Sequence, residues 1–316
     1  QGPRRSHGAA GRAGDPVMDT LKIPAGHEDD EIIVSVSGGK DSTATWLRLR
    51  ESGIQCRAVF ADTGWEAPET YAYLDLLRAK VGPIDVVGVE GGMRAKIRHR
   101  AGFPARKQRW CTLELKVEPL REYHDRVRAE TDRETVSVVG IRAEESEERA
   151  AMLVFGFDDR WGGYVWRPSL DLTVAEVIET HHRHGVPLNP LYLRGHNRVG
   201  CYPCIYATKE EIRLWADHAP ESVAEVAALE VECETLRAER NAVEPGRYEH
   251  TKASYFQART ATRGPDGKRV YLPVHLDEVV RWSRTGRGGQ SLLFEMPPQG
   301  GCFRWGMCEP PTKEEP

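Results

Sequence analysis

The stretch SVSGGKDSTATW, residues 35–46, ends an apolar run (EIIVSVS, 31–37) and opens KDSTATWLRLRES, in which Trp46, Leu47 and Leu49 fall on a helical repeat that Gly53 closes. A strand that feeds a helix through two glycines is a βα unit. The first turn of a helix carries unpaired N–H groups and a partial positive charge, and glycines ahead of it let the backbone come close to a phosphate. Ser37, Gly38, Gly39 and Ser42 therefore suit an oxyanion, and Lys40 adds a point charge. Asp41 is the residue that a plain anion cradle would avoid. The string does not match GxxxxGK(S/T), so it is not the usual P-loop NTPase fingerprint. The bland reading is a glycine-rich turn with a capping serine.

The pattern repeats outward from this loop. CRAVFADTG (56–64) reads as a second strand, PETYAYLDLLRAKVG (68–82) as its helix, and IDVVGVEGG (84–92) as a third strand. ELKVEPLREYHDRVRAE (114–130) is amphipathic, and TVSVVGIRAEES (135–146) is a fourth strand running into a turn. Strands alternating with helices predict an α/β fold with a doubly wound, mostly parallel sheet. In such a sheet ligands bind outside the carboxyl ends of the strands. SGGKDS, ADTGWE and GIRAEES all fall there, which adds Asp62, Thr63, Gly140 and Arg142 to the candidate site. Asp62 suits Mg²⁺ or a ribose hydroxyl, or else caps the helix near Pro68. Arg142 suits a phosphate, or else pairs with Glu144 or Glu145.

Past Arg149 the chain turns aromatic and glycine-rich (VFGFDDRWGGYVWRPSLD, 154–171), then reads as a helix (TVAEVIETHHRHG, 173–185) and a loop (VPLNPLYLRGHNRVGCYPC, 186–204). Residues 207–242 are charged and helix-forming, and RGPDGKRVYLP (263–273) marks a turn between short extended pieces. His181 to His184 stand near the end of their predicted helix, where histidines complement its dipole. Lysine plus arginine number 44 against 48 aspartate plus glutamate, so a net charge of -4 gives no global attraction to a polyanion. No stretch is apolar for long enough to cross a bilayer, and the start lacks the apolar core of a secretory signal; a cytoplasmic protein without a membrane partner is expected. Residues 1–30 are expected to be a flexible tail, with Met18 a candidate native start.

SVSGGKDST, ADTGWEAPET, RWCTLELKVEPL, GIRAEESEERA and RVGCYPC occur in an order that resembles the phosphoadenosine-phosphosulfate reductase family of the PP-loop (adenine nucleotide alpha-hydrolase) superfamily. The resemblance covers roughly residues 31–210 and implies a five-stranded Rossmann-like sheet that binds an adenine nucleotide, with the loop on its phosphates. The reductases resemble this loop but usually lack its Lys and Asp. With Lys40 and Asp41 present, the form is similar to ATP-pyrophosphatase members, which bind a triphosphate, cleave it between α and β and adenylate an acceptor. There Lys40 would neutralise the departing pyrophosphate with Mg²⁺ bridging. Lys40, Asp41 and Arg142 are the expected catalytic residues. The reductases also end in a short tail with a catalytic cysteine beside glycine and histidine, which GGCFRWGMCEPP (300–311) is not.

Seven cysteines in such a chain favour metal binding or redox chemistry over a disulfide framework. Cys201 and Cys204 form a CxxC, a spacing shared by zinc sites, iron–sulfur clusters and redox dithiols. Cys111 falls where the similar adenylyl-sulfate reductases carry the first of two adjacent cluster cysteines, and Thr112 stands in the second place. Cys302 or Cys308 would supply the missing ligand, with Cys308 preferred. Cysteines from three distant segments suit a [4Fe–4S] cluster better than a zinc knuckle, whose pairs lie about 15–20 residues apart. Cys56 and Cys233 read as structural.

RAKIRHRAGFPARKQRW (94–110) carries Arg94, Lys96, Arg98, Arg100, Arg106, Lys107 and Arg109 without an acid, beside Phe103 and Trp110. It suits nucleic acid, a small anion, or simply a solvated loop leading to Cys111. The expected organisation is the tail over 1–30, a PP-loop nucleotide-binding domain over 31–206, and a helical and irregular region over 207–316 that returns a cysteine to the cluster.

The expected enzyme binds ATP and Mg²⁺, adenylates an acceptor and uses the [4Fe–4S] cluster in sulfur transfer. Its partners are an adenine nucleotide, a nucleic-acid or small-molecule acceptor and a sulfur donor such as a cysteine desulfurase; DNA phosphorothioation ATPases are similar in architecture. The alternatives are a reductase releasing sulfite from adenylyl sulfate or its 3′-phosphorylated form, a non-catalytic nucleic-acid-binding subunit with a structural metal, and a cluster-free protein of the ATP sulfurylase small-subunit type.

Overall fold

The computed structural model of the chain describes residues 20–263 and 267–286. Along it run β1 (Glu31–Ser35), α1 (Lys40–Glu51), β2 (Arg57–Asp62), α2 (Pro68–Lys80), β3 (Ile84–Gly88) and α3 (Gly92–Arg100). A helical passage follows: α4 (Trp110–Thr112), a π-helical turn (Leu113–Val117) and α5 (Glu118–Thr131). Next come β4 (Thr135–Val139), a 3₁₀ turn (Ala143–Glu145), α6 (Glu147–Ala150), β5 (Phe155–Asp158), β6 (Gly163–Trp166), α7 (Val174–Arg183) and α8 (Pro190–Leu193). The last part holds α9 (Lys209–His218), α10 (Pro220–Val243), the hairpin β7 (Arg259–Arg263) and β8 (Arg269–Pro273), and α11 (Leu276–Ser283).

The main sheet has the order β3-β2-β1-β4-β6-β5, with every pairing parallel except that of β5 with β6. Its five parallel strands match the expected number. The aromatic and glycine-rich stretch supplies both β5 and β6, and β5 turns back antiparallel at the edge because only four residues separate the two strands.

Period-2 alternation assigns the faces. Ile32, Val34, Ala58 and Phe60 point to one side, where Trp46 and Leu49 of α1 and Leu74 and Leu77 of α2 cover them. Ile33 and Val59 point to the other side, against Tyr123 and Val127 of α5. Helices thus cover both faces, which is why β1 reads as an unbroken apolar run. Within the segment expected to be tail, Leu21 and Ile23 pack on the first of these cores, Leu21 N donates to Ser52 Oγ at the end of α1, and His27 stands edge-on against Tyr164.

A second large core sits beyond the strand ends. Trp65, Met93, Ile97, Phe103 and Leu115 meet Trp215, Val226, Leu229 and Tyr255, so α9 and α10 pack on α3 and the loop after β2. Ion pairs ring this contact: Arg94 with Glu225 and Arg98 with Glu232 at 2.8 Å from α3 to α10, and Lys96 and Arg100 with Glu114. Half of the basic stretch is therefore neutralised by acids distant in sequence.

The π turn has a local cause. Pro119 cannot donate a hydrogen bond, and its ring crowds the carbonyl four residues earlier, so the turn before it widens. In a regular helix residues five apart point about 140° away from each other. The wider turn lets Cys111 and Lys116 line one cavity.

Strand order reverses between β1 and β4, which makes the gap between them the topological switch point. There the turn after β4 presses on α1: a Cβ on Gly140 would lie 2.5 Å from Ser42 Cα and 2.7 Å from Asp41 O. Only a residue without a side chain fits. Gly140→Ala is expected to cost about 1–3 kcal/mol through overpacking and to weaken nucleotide binding. Thermal melting and calorimetric ATP titration check this; an unchanged midpoint and affinity would show that the two turns are not in contact.

Candidate functional site

The loop between β1 and α1 is closed from within. Gly38 has φ of +74°, and a Cβ there would meet Thr70 Cγ2 at 2.9 Å, so glycine is required on both counts. Ser42 Oγ accepts from Ser37 N at 3.1 Å and donates to Gly39 O at 3.1 Å, and Ser37 Oγ lies 3.1 Å from it. Gly39 is the N-cap of α1 and offers no side chain to its amides.

Three buried side chains, from α7, the loop after it and α8, brace this backbone from outside. Asn189 Nδ2 donates to Gly38 O at 3.2 Å, Lys40 N donates to the Tyr192 hydroxyl at 3.1 Å, and His181 Nε2 lies 2.9 Å from Lys40 O. His181 Nδ1 also faces Val186 O at 3.2 Å. Burial lowers the His181 pKa, and a neutral ring carries one N–H, so it donates to one of the two carbonyls at a time. The other histidines of this run do end their helix as expected, with His184 beside Glu51 at 3.5 Å.

A charge chain lies at the start of α1. Lys40 Nζ donates to Asp41 Oδ2 at 2.7 Å, and Arg142 Nε donates to Asp41 Oδ1 at 2.6 Å. The Lys40 and Arg142 side chains are only 5% and 6% exposed, so these pairs are poorly screened. Arg142 also pairs with Glu144, and its own N–H donates to Glu145 Oε2 at 2.9 Å. Burial works against the guanidinium charge, but Asp41 and Glu144 outweigh it and raise the pKa. Both sequence readings of Arg142 thus meet in one residue: it pairs with its acidic neighbours and it joins the loop.

Asp62 and Thr63 organise the turn after β2. Asp62 Oδ1 accepts from Gly64 N and from the Tyr71 hydroxyl, both at 2.8 Å, while α2 begins at Ala67 without a side-chain cap. Thr63 Oγ1 donates to Glu66 Oε1 at 2.7 Å, and Glu66 Oε2 takes the N–H groups of Thr63 and Trp65. The same turn carries the CxxC loop. Glu66 and Cys201 form a β-bridge, Tyr202 N donates to Trp65 O at 2.6 Å, and Trp65 Nε1 donates to Pro203 O at 3.2 Å.

Cys111, Cys201 and Cys204 line one cavity of about 240 Å³, together with Lys116, Arg109 and Arg198. Among the described residues, no three His, Cys, Asp or Glu side chains stand close enough together to hold a metal ion. Cys302 and Cys308 lie outside the described residues. Burial pushes the Cys111 and Cys201 thiols up, and Lys116 pulls Cys201 back down. Lys116 is in turn raised, first by Cys201, with Glu66 4.0 Å away adding to it. His196 also lines the cavity; burial pushes its ring down to about 4, and its Nε2 has no partner among the described residues. Val199 joins the two parts: it lines the cavity, and its Cβ lies 3.9 Å from where a Cβ on Gly39 would stand.

His181, Asn189, Tyr192, Glu66, Lys116 and His196 escaped sequence reasoning as site residues. His181, Asn189, Tyr192 and Lys116 are marked by partners distant in sequence, Glu66 by its bridge to Cys201, and His196 only by its place in the cavity wall. Tyr192→Phe removes the acceptor of a buried N–H at the head of α1, so stability is expected to fall by about 1–3 kcal/mol and nucleotide affinity with it. Thermal melting with nucleotide titration reads both. A variant as stable and as tightly binding as the parent would mean that the brace does not support the loop.

Comparison with known proteins fits this geometry. Residues 31–207 match the phosphoadenosine phosphosulfate reductase domain. The chain is 33% identical over 246 residues to an uncharacterized 37.8 kDa protein of Escherichia phage 186, covering 63% of this chain and 74% of that one. It is 30% identical over 149 residues to the adenosine 5′-phosphosulfate reductase of Salinibacter ruber, covering 46% of this chain and 56% of the reductase. A crystal structure of phosphoadenylyl-sulfate reductase from Candida auris in complex with phosphate aligns with a TM-score of 0.44 at 18% identity, over 55% of this chain and 82% of that one. The chain thus spans little more than half of the Salinibacter reductase. With a family match over more than half its length and a glycine loop at the switch point of a parallel sheet, this chain belongs to the phosphoadenosine phosphosulfate reductase domain family and has its nucleotide-binding PP-loop fold.

Proposed function

We propose that this chain is an ATP pyrophosphatase that adenylates an acceptor and serves sulfur transfer through a [4Fe–4S] cluster. The observation that carries the ATP reading is the pair of buried cations, Lys40 and Arg142, sharing Asp41 at the positive end of α1. A triphosphate that splits between α and β needs a cation at the leaving group, and Lys40 can supply one by leaving Asp41 to Arg142. An acceptor oxygen attacks the α-phosphorus, the bond to the α–β bridging oxygen breaks, and pyrophosphate departs with the electron pair. Lys40 moves from Asp41 onto the β- and γ-phosphate oxygens, while Arg142 stays on Asp41 and holds the loop. Both hydrogen bonds to Asp62 fall on Oδ1, which leaves Oδ2 for Mg²⁺ or a ribose hydroxyl.

Three thiols lining one cavity beside Lys116, Arg109 and Arg198 support an anionic, thiolate-ligated centre, for which the three would have to draw closer together than they stand in this structure. Cys111, Cys201 and Cys204 would hold the cluster, with Cys308 as the fourth ligand. When bound, such a cluster supplies sulfur ligation and one-electron exchange. Lys116 offsets thiolate charge on the side facing Glu66, and Trp215 and Ile205 give the cavity an apolar inner wall. A desulfurase-type sulfur donor belongs to this reading.

The second reading, release of sulfite from adenylyl sulfate, is supported by the reductase relatives. Pyrophosphate release from ATP and sulfite release from adenylyl sulfate, assayed side by side on anaerobically purified protein, separate the two. Pyrophosphate release is expected, falling by about 10²–10³ in Lys40→Ala. Sulfite without pyrophosphate would overturn the ATP reading. Iron and sulfide analysis should give about four of each per chain, with marked loss in Cys201→Ser. A colourless, iron-free protein that still releases pyrophosphate would remove the cluster and leave the nucleotide chemistry standing.

A further inference from the structure

The basic stretch 94–110 divides into two halves with different surroundings. Arg94, Lys96, Arg98 and Arg100 each meet a carboxylate of Glu225, Glu114 or Glu232. Arg106, Lys107 and Arg109 are exposed, as is Arg198 from the CxxC side, and no carboxylate among the described residues lies within ion-pair distance of these four. Arg109 and Arg198 line the cysteine cavity. Glu211 also lines it but is buried, and it accepts from Thr208 N at 2.9 Å.

These cations are partly fixed in place. The guanidinium carbons of Arg106 and Arg109 lie 5.5 and 5.3 Å from the centroid of the Tyr206 ring, whose hydroxyl donates to Arg106 O at 3.1 Å. An Arg198 guanidinium N–H reaches Cys204 Sγ at 3.8 Å. A charge already ordered by an aromatic face loses less freedom when it binds a partner. Arg109 and Arg198 line the opening, Arg106 stands on the Tyr206 ring that lines it too, and Lys107 follows Arg106 in the chain; cations strung along a segment in this way suit a chain of phosphates better than one small anion, which would draw them to a point. Planar guanidinium groups also offer stacking faces to unpaired bases. The thiols lie inside the cavity, so a duplex could not present a reacting atom to them without first splaying out a nucleotide.

We propose that the rim formed by Arg106, Lys107, Arg109 and Arg198 around the cysteine cavity docks single-stranded nucleic acid and makes it the acceptor. This rests on the proposed function and names its acceptor class. Phosphates sit on the rim, and an unpaired nucleotide enters the mouth beside Arg109 and Arg198.

The test uses the full chain and fluorescence anisotropy with labelled oligonucleotides of about twelve nucleotides, as single-stranded DNA, single-stranded RNA and duplex DNA, between about 50 and 200 mM salt. Single strands should bind more tightly than duplex, and the DNA and RNA arms decide which is preferred. The slope of log affinity against log salt should be about -3, at roughly 0.7 per phosphate contacted. Arg106→Ser with Lys107→Ser should reduce that slope by about 1.4 while ATP affinity, a check on folding, is unchanged. Arg94→Ser, whose guanidinium is paired with Glu225, should leave the slope as it was. Equal binding of duplex, a slope untouched by the rim variant, or poly-glutamate competing as well as the oligonucleotide would overturn the proposal. Pyrophosphate release and iron without strand binding would defeat the rim alone. Rim-dependent strand binding without pyrophosphate release would keep the rim as a docking site and defeat the adenylating function beneath it.

Discussion

The backbone of residues 38–40 is held by Asn189, Tyr192 and His181, which lie between 141 and 152 positions further along the chain. A glycine loop left to itself samples many conformations, and glycine loses more freedom on ordering than any other residue. Here buried polar atoms fix a carbonyl on Gly38 and both the N–H and the carbonyl of Lys40. Each of these bonds lies in a region shielded from water, where leaving a partner unmade is costly. The loop's shape is thus set from behind.

The same brace ties the loop to the cysteines. The segment that carries Asn189 and Tyr192 continues through Val199 to Cys201 and Cys204, and the turn after β2 holds those cysteines through Trp65 and Glu66. A shift of the glycine loop toward Val199 would therefore press on the wall of the cysteine cavity, and a change in that wall would press back. Packed interiors transmit such shifts because they have little free volume.

Charge is arranged on two levels. At the head of α1 the cations share one carboxylate and are nearly buried, which keeps them strong and unscreened. On α3 the arginines are spent on holding α10 in place, so a run that reads as a nucleic-acid patch becomes in part a structural seam. Only the segment beyond Phe103, which leaves the helix, keeps its cations for solvent.

Local pattern was enough for the frame. Apolar runs of strand length between helical repeats determined the parallel sheet, and the three polar turns at its strand ends marked out the candidate site, because periodicity and turn chemistry act over a few residues. The ordered motifs, with the cysteine spacing, pointed to Cys111, Cys201 and Cys204, which the fold brings to one cavity. Pairing was not legible. Nothing near Arg94 says that Glu225 will meet it, nothing near Lys40 announces Tyr192, and His181 reads as a helix end until α1 packs beside it. The edge strand β5 and the docking of Leu21 and Ile23 were equally hidden, since each exists only where another surface is waiting. Burial, hydrogen-bond partners and ion pairs depend on which distant segments meet, and that was decided by the tertiary structure alone.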